Sequence, residues 1–85
     1  MSALDELLNS ISSSASSTEE VSQLIEGNKQ QSDEILSQLE TVGADAAAGV
    51  LAGAKDQLEE CQALAASLKA KLDESMATVE AVKHT

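Results

Sequence analysis

The chain has no phenylalanine, tyrosine, tryptophan, proline or arginine, and only one cysteine and one histidine among its 85 residues. Without aromatic side chains or arginine, it offers nothing on which nucleic-acid bases could stack. Fifteen acidic residues against five lysines give a net charge of −10, which repels phosphate groups. Nucleic-acid binding is therefore excluded, and binding to anionic membrane surfaces is disfavoured.

Residues that commonly carry chemistry are few or poorly placed. A single cysteine, Cys61, cannot form an internal disulfide, and we expect it to be a small buried apolar residue. His84 has no second histidine or cysteine at metal-ligand spacing. Catalytic carboxylates need unlike environments, whereas the acidic residues here recur regularly, as on a solvated helix face. We expect no cofactor, no metal and no enzymatic activity, and no apolar run is long enough for membrane insertion.

What the chain does contain is a repeat of seven residues. With Leu4 taken as position a, eight of the twelve a and d positions in the first half are apolar. All eight acidic residues of that half fall at b or c. A second repeat has Leu51 as position a, and nine of its ten a and d positions are apolar, counting alanine and cysteine. A phase held along most of each half predicts long helices with a coiled-coil seam at a and d.

Turn signals lie where the two repeats fall out of phase. Leu39 and Leu51, both at position a, are twelve residues apart, so the register is reset between them. Gly43 suits the left-handed conformation that ends many helices. Asp45 can cap the start of the second helix. A tight turn here makes the two helices antiparallel neighbours.

The sequence therefore predicts one all-α domain over residues 1–85, an antiparallel two-helix hairpin. We expect helix one at about 3–42, the turn at 43–45 and helix two at about 46–82. The serine-rich stretch 10–18 leaves an alternative, because the segment 17–20 also has the pattern of a capping box. Helix one could then begin near position 18 and leave a separate short helix before it. The unbroken repeat favours one continuous helix.

Helix two carries more apolar surface than one partner helix can cover. Val50, Leu64 and Met76 lie at g and e, outside its a and d seam. We therefore expect hairpins to pair into a four-helix bundle, through contact with another protein or with a second copy. The residues expected to carry folding and assembly are Leu4, Leu7, Ile11, Ile25, Ile35, Leu39, Leu51, Leu58, Leu64, Leu68, Leu72, Met76 and Val79.

A short acidic chain that forms a long helical hairpin resembles the small WXG-type proteins of type VII secretion systems. The family places Trp-x-Gly at the turn, and the corresponding stretch here is Ala47-Ala48-Gly49, with alanine in place of tryptophan. The tyrosine of the family's C-terminal secretion signal has no counterpart in this chain. The resemblance implies a hairpin that pairs as a dimer and helps larger proteins to be exported.

These observations favour a non-enzymatic helical protein–protein interaction module, such as a secretion-associated adaptor or chaperone for a larger helical partner. The alternative is a self-assembling structural coiled-coil protein, either a homodimer or a filament subunit. Asp5 and Glu6 precede any useful apolar run, opposite to the order in a signal peptide. We therefore expect the protein in the cytoplasm, or exported without a cleavable signal peptide.

Overall fold

The computed structural model describes residues 2–85, which form two long α-helices joined by a tight turn. Helix α1 is Ala3–Thr41 and helix α2 is Asp45–Lys83. They run antiparallel along their whole length and pack on each other, without any strand in the described part of the chain. The all-α hairpin expected from the sequence is confirmed.

Helix α1 is continuous through its serine-rich stretch. Ser2 caps its start, with its Oγ accepting a hydrogen bond from the Asp5 backbone N–H at 3.2 Å. Within the stretch, Ser14 Oγ donates to the Ser10 carbonyl at 3.2 Å and Thr18 Oγ1 donates to the Ser14 carbonyl at 2.9 Å. Helix α1 has no break in this stretch, so the alternative start near Thr18 is not adopted, and these hydroxyls bond back within one continuous helix.

The turn is closed by a Schellman motif at the end of α1. The Ala44 N–H donates to the Leu39 carbonyl at 2.9 Å, and the Gly43 N–H donates to the Glu40 carbonyl at 3.1 Å. Gly43 has a φ of 77°, the left-handed conformation expected for it. The predicted cap at Asp45 is wrong, since Ala44 holds the N-cap position without a side-chain bond. Asp45 is the first residue of α2, where its carboxylate still interacts favourably with the positive end of the helix dipole.

One register is kept from the turn to the open end of the hairpin. Asp33 contacts Lys55 near the turn, Gln62 Nε2 donates to Glu26 Oε2 at 2.8 Å further along, and Asp5 meets Lys83 at the open end. One step towards the C-terminus of α1 therefore corresponds to one step towards the N-terminus of α2.

The seam between the helices is formed by positions a and e, not by the predicted a and d. Apart from Lys83 at the end of α2, the residues at a and e are buried or half-buried on both helices, whereas the apolar residues at d are exposed. Only Leu8, Ala15, Ala48 and Ala65 are buried among the described residues, and three of these are alanine. Small side chains at the contact allow the helices to approach closely.

The hairpin is long, thin and poor in buried surface. Its Cα atoms span 64 × 17 × 11 Å, and its accessible surface is 5800 Å². A compact monomer of 8.8 kDa would expose only about 4,800 Å². A two-helix layer has no second layer of structure to cover its outward faces, which leaves a large surface open for contact.

Candidate interaction surface

With a and e in the seam, positions d and g of both helices lie on one broad side of the hairpin. Because a and e point to the partner helix, d and g lie on one side of each helix, and b and f lie on the other. Antiparallel pairing brings d and g of both helices to the same side. Val21, Cys61, Leu64 and Leu68 line one open groove of about 450 Å³ on this side. We call the d and g positions of both helices the uncharged face.

The uncharged face holds every large apolar side chain that residues 2–85 leave exposed. These side chains are Leu7, Val21, Leu24, Ile35, Val42, Val50, Leu64, Leu68 and Val82. Leu24 and Leu64, at the middle of the hairpin, are 68% and 70% exposed. No acidic residue lies at a d or g position, and Lys71 is the one charged residue of the face in the described chain. An uncharged strip of this kind is typical of a surface that contacts another protein.

The opposite side of the hairpin is strongly acidic. Ten of the fifteen acidic residues occupy b or f, and the other five occupy c at the outer edges. Four of the five lysines lie at e and each pairs with an acidic residue at b. The pairs are Lys29–Glu26, Lys55–Asp33, Lys69–Asp73 and Lys83–Asp5. These pairs link charges along one side of the seam and leave the uncharged face free of them.

A polar cluster crosses the seam near its middle. Lys29 Nζ donates to Gln62 Oε1 at 3.0 Å, and the Gln62 amide donates to Glu26. Lys29 Nζ also lies 3.6 Å from Glu26 Oε2. The hydrogen bond from Gln62 and then the charge of Lys29 lower the pKa of Glu26. Because the cluster uses a specific amide, it can fix the register of the two helices.

The ion pairs further along the seam shift the pKa of their members. The hydrogen bonds from Lys83 and from Ser2 lower the pKa of Asp5, and the same contact with Asp5 raises the pKa of Lys83. The hydrogen bond to Asp33 raises the pKa of Lys55. All of these groups lie at the surface, where ion pairs add little to stability.

The residues predicted to carry folding and assembly divide between the two surfaces. Nine line the seam as buried or half-buried side chains: Leu4, Ile11, Ile25, Leu39, Leu51, Leu58, Leu72, Met76 and Val79. The other four, Leu7, Ile35, Leu64 and Leu68, lie exposed on the uncharged face. Sequence reasoning missed Leu8 and Leu36 in the seam, although leucine at two e positions was a visible signal. It also missed Leu24, which faces solvent at g.

The single cysteine is not where we expected it. Cys61 is exposed at the edge of the groove, because it lies at a d position and the seam uses e. His84 is also exposed, with its Nε2 3.6 Å from Glu80 Oε2. Across residues 2–85, no cluster of three or more His, Cys, Asp or Glu side chains could hold a metal ion. Within the same residues, neither helix has a stretch apolar and long enough to span a bilayer.

No protein-family model matches the chain, and no curated protein or solved structure shows significant similarity to it.

Proposed function

We propose that this chain is a non-enzymatic protein–protein interaction module that docks helices on its uncharged face. The observation that carries the proposal is the segregation of the surface. All nine exposed large apolar side chains of the described residues share a face that holds no acidic residue. Burying a leucine or valine side chain contributes roughly 1.5–3 kcal/mol, so covering this face supplies a strong drive for association.

Docked helices would complete a four-helix bundle. The uncharged face is a shallow trough between two parallel ridges of side chains, and a groove of this kind accepts the apolar stripe of a helix. Two further helices, lying side by side, would cover both ridges. Apolar burial would supply affinity, and the acidic residues at the outer edges would orient the partner.

The resemblance to type VII secretion hairpins suggests one specific role. In that role the chain is an adaptor or chaperone that keeps a larger helical protein ready for export, acting in the cytoplasm or after its own export. The alternative is a self-assembling structural protein, favoured by the similar apolar composition of the two ridges.

Photo-crosslinking from two positions tests the proposal. A photoreactive amino acid replaces Leu64 on the uncharged face or, as the matched control, Glu59 on the acidic side of the same helix. In the cells that make the protein, we expect adducts with a helical protein or with the chain itself from position 64 only. Excess unlabelled chain should compete for the adduct, and its Leu64→Asp variant should not, because it would bury an unpaired charge. Absence of any adduct from position 64 would refute the proposal.

A further inference from the structure

We propose that a second copy of this chain covers the uncharged face, with the turns of both hairpins at the same end. Helix α1 of each copy then packs on α2 of the other. The inference rests on the proposed function, because it names the occupant of the same face. It follows from the charge pattern, the spacing of the apolar side chains, the area of the face and the arrangement of acidic residues along its edges.

The charge pattern permits a copy of the same chain to dock at this face. A chain of net charge −10 repels itself wherever acidic surfaces meet. The uncharged face is the one broad side of the described hairpin on which two copies can meet without opposing carboxylates. Face-to-face contact places the acidic b and f positions of both copies on the outside of the bundle, in water.

The apolar residues form evenly spaced layers along the uncharged face. Val21 and Leu68 are nearly level with each other near the middle of the hairpin, by the register that pairs Asp5 with Lys83. About 21 Å away on each side, at 1.5 Å per residue, lies another apolar layer. One of these layers contains Leu7 and Val82, and the other contains Ile35 and Ala54. Val50 lies one helical turn beyond this second layer, about 27 Å from Leu68. With the turns at the same end, each layer meets the same layer of the second copy, which is the self-matching that a two-fold interface requires.

The area of the face is sufficient for a stable dimer. The 64 × 17 Å side of the hairpin corresponds to roughly 1,000 Å² per copy and about 2,000 Å² per pair. Stable interfaces bury about 1,200–2,000 Å² in total. Pairing would also remove most of the surface that the thin hairpin exposes beyond a compact monomer.

The acidic residues along the outer edges select the direction of the second copy. When the turns lie at the same end, position c of α1 runs beside position c of the other copy's α2. Acidic residues then fall level with small ones: Glu6 with Ala81, Glu20 with Ser67, Glu34 with Gly53, Ser13 with Glu74, and Gly27 with Glu60. When the turns lie at opposite ends and the Val21 layers of the two copies coincide, position c of α1 runs beside position c of the other copy's α1. Glu20 then lies within about 3 Å along the helix axis of Glu20 of the second copy, and Glu6 within the same distance of its Glu34. Opposed like charges are unfavourable, so the interleaved arrangement is preferred.

The one charged residue of the face fits the same arrangement. Lys71 is exposed at a g position, and its Nζ contacts only its neighbour Glu74, at 3.2 Å. With the turns at the same end, Lys71 comes level with Ser17 of the second copy, one helical turn from Glu20 of that copy. A lysine side chain can span this distance, so the charge gains a partner across the interface.

Disulfide trapping with the native Cys61 tests both the occupant and its direction. Asn28 is exposed at d and, in the proposed dimer, is level with Cys61 of the second copy. Ser75, also exposed at d, meets that cysteine only when the turns lie at opposite ends. On oxidation, we expect the Asn28→Cys variant to form a covalent dimer. The Ser75→Cys variant should form no more covalent dimer than the unaltered chain does. Light scattering across a hundredfold range of concentration should give twice the chain mass.

Other outcomes overturn the inference. A chain of single mass at all concentrations, or covalent dimers from Ser75→Cys alone, would each contradict it. Residue 28 is level with Cys61 of its own hairpin as well, so where a cross-link forms within one chain the mass in solution decides. If position 64 forms an adduct with a different protein and no adduct with another copy of the chain, the inference of a second copy is wrong. The proposed function would still hold. Absence of any adduct from position 64 would refute the proposed function itself.

A charge exchange provides a second variant that leaves the fold unchanged. Lys71→Glu should raise the dissociation constant of the dimer by roughly fivefold, since it loses an exposed ion pair and adds a like charge. Adding Glu20→Lys to the same chain should restore the original value. If Lys71→Glu has no effect, or if Glu20→Lys fails to rescue it, the same-end arrangement is wrong.

Discussion

Lys83 Nζ lies 2.7 Å from Asp5 Oδ1, which ties the last turn of α2 to the first turn of α1. The other carboxylate oxygen of Asp5 accepts a hydrogen bond from Ser2 Oγ at 3.0 Å. One carboxylate therefore joins the cap of α1 to the end of α2, while the Schellman motif around Gly43 closes the opposite end. Both ends of the hairpin are held, although its buried core is small.

This relationship predicts how stability changes in acid. The contacts of Asp5 lower its pKa below the ordinary 3.8, so their stabilising effect is present above that pH and is lost as the pH falls through the lower value. At pH 7 we expect the Asp5→Asn variant to have a lower melting temperature than the unaltered chain. This difference in melting temperature should disappear in stronger acid. Thermal unfolding followed by circular dichroism measures this, with Glu6→Gln as the control. An equal difference at both pH values would contradict the role of the carboxylate.

Two glycines with open space around them should respond to alanine in opposite ways. A Cβ added at Gly43 or at Gly27 would meet no atom within 4 Å beyond its own local backbone and chain neighbours, so backbone conformation decides the effect. Gly43→Ala should lower the free energy of unfolding by about 1–2 kcal/mol, because φ there is 77°. Gly27→Ala, inside α1, should raise it by about 1 kcal/mol through helix propensity. Urea titrations of both variants measure the difference, and effects of the same sign would be inconsistent with the turn described.

The continuity of α1 through its serines can be tested by the sign of one substitution. Ser17 lies inside the helix, so Ser17→Ala should stabilise the chain by about 0.5 kcal/mol. If Ser17 instead capped a helix starting at position 18, the change would destabilise by about 1 kcal/mol. Ser2→Ala is the matched control, since Ser2 does cap a helix and should destabilise by about that amount. Both are measured by urea unfolding of the dilute chain.

Substitutions in the seam and on the uncharged face should differ in how their effect on stability depends on protein concentration. Leu58 is half-buried in the seam, so Leu58→Ala should lower the free energy of unfolding by about 2 kcal/mol at every concentration. Leu64→Ala should change the unfolding of the dilute chain by less than about 0.5 kcal/mol, because the side chain is exposed there. At high concentration the same variant should lower the apparent stability, since it weakens association. Equal losses from both variants in dilute solution would place Leu64 in the hairpin core.

Helix content and the turn were predictable because their signals are local. The repeat of seven defines an amphipathic helix without reference to any distant residue, and Gly43 supplies a conformation that other residues adopt at a cost. Asp45 misled the prediction because Ala44 already supplies the carbonyl that begins α2, at 2.9 Å from the Ala48 N–H. The backbone of the Schellman motif therefore sets the start of the helix, one residue before the side chain that resembled a cap.

The sequence by itself determined two helices, their break near Gly43, and the confinement of acidic residues to the b, c and f positions. Each of these depends on the order of residues along one helix. Only the tertiary structure decided that the seam uses a and e, because each helix has apolar residues at a, d and e, and one partner helix covers just two of these rows. With e in the seam, Ala15 and Ala48 are buried and the four lysines at e lie beside acidic residues at b. That choice turns Val21, Leu64 and Leu68 outward and so creates the uncharged face.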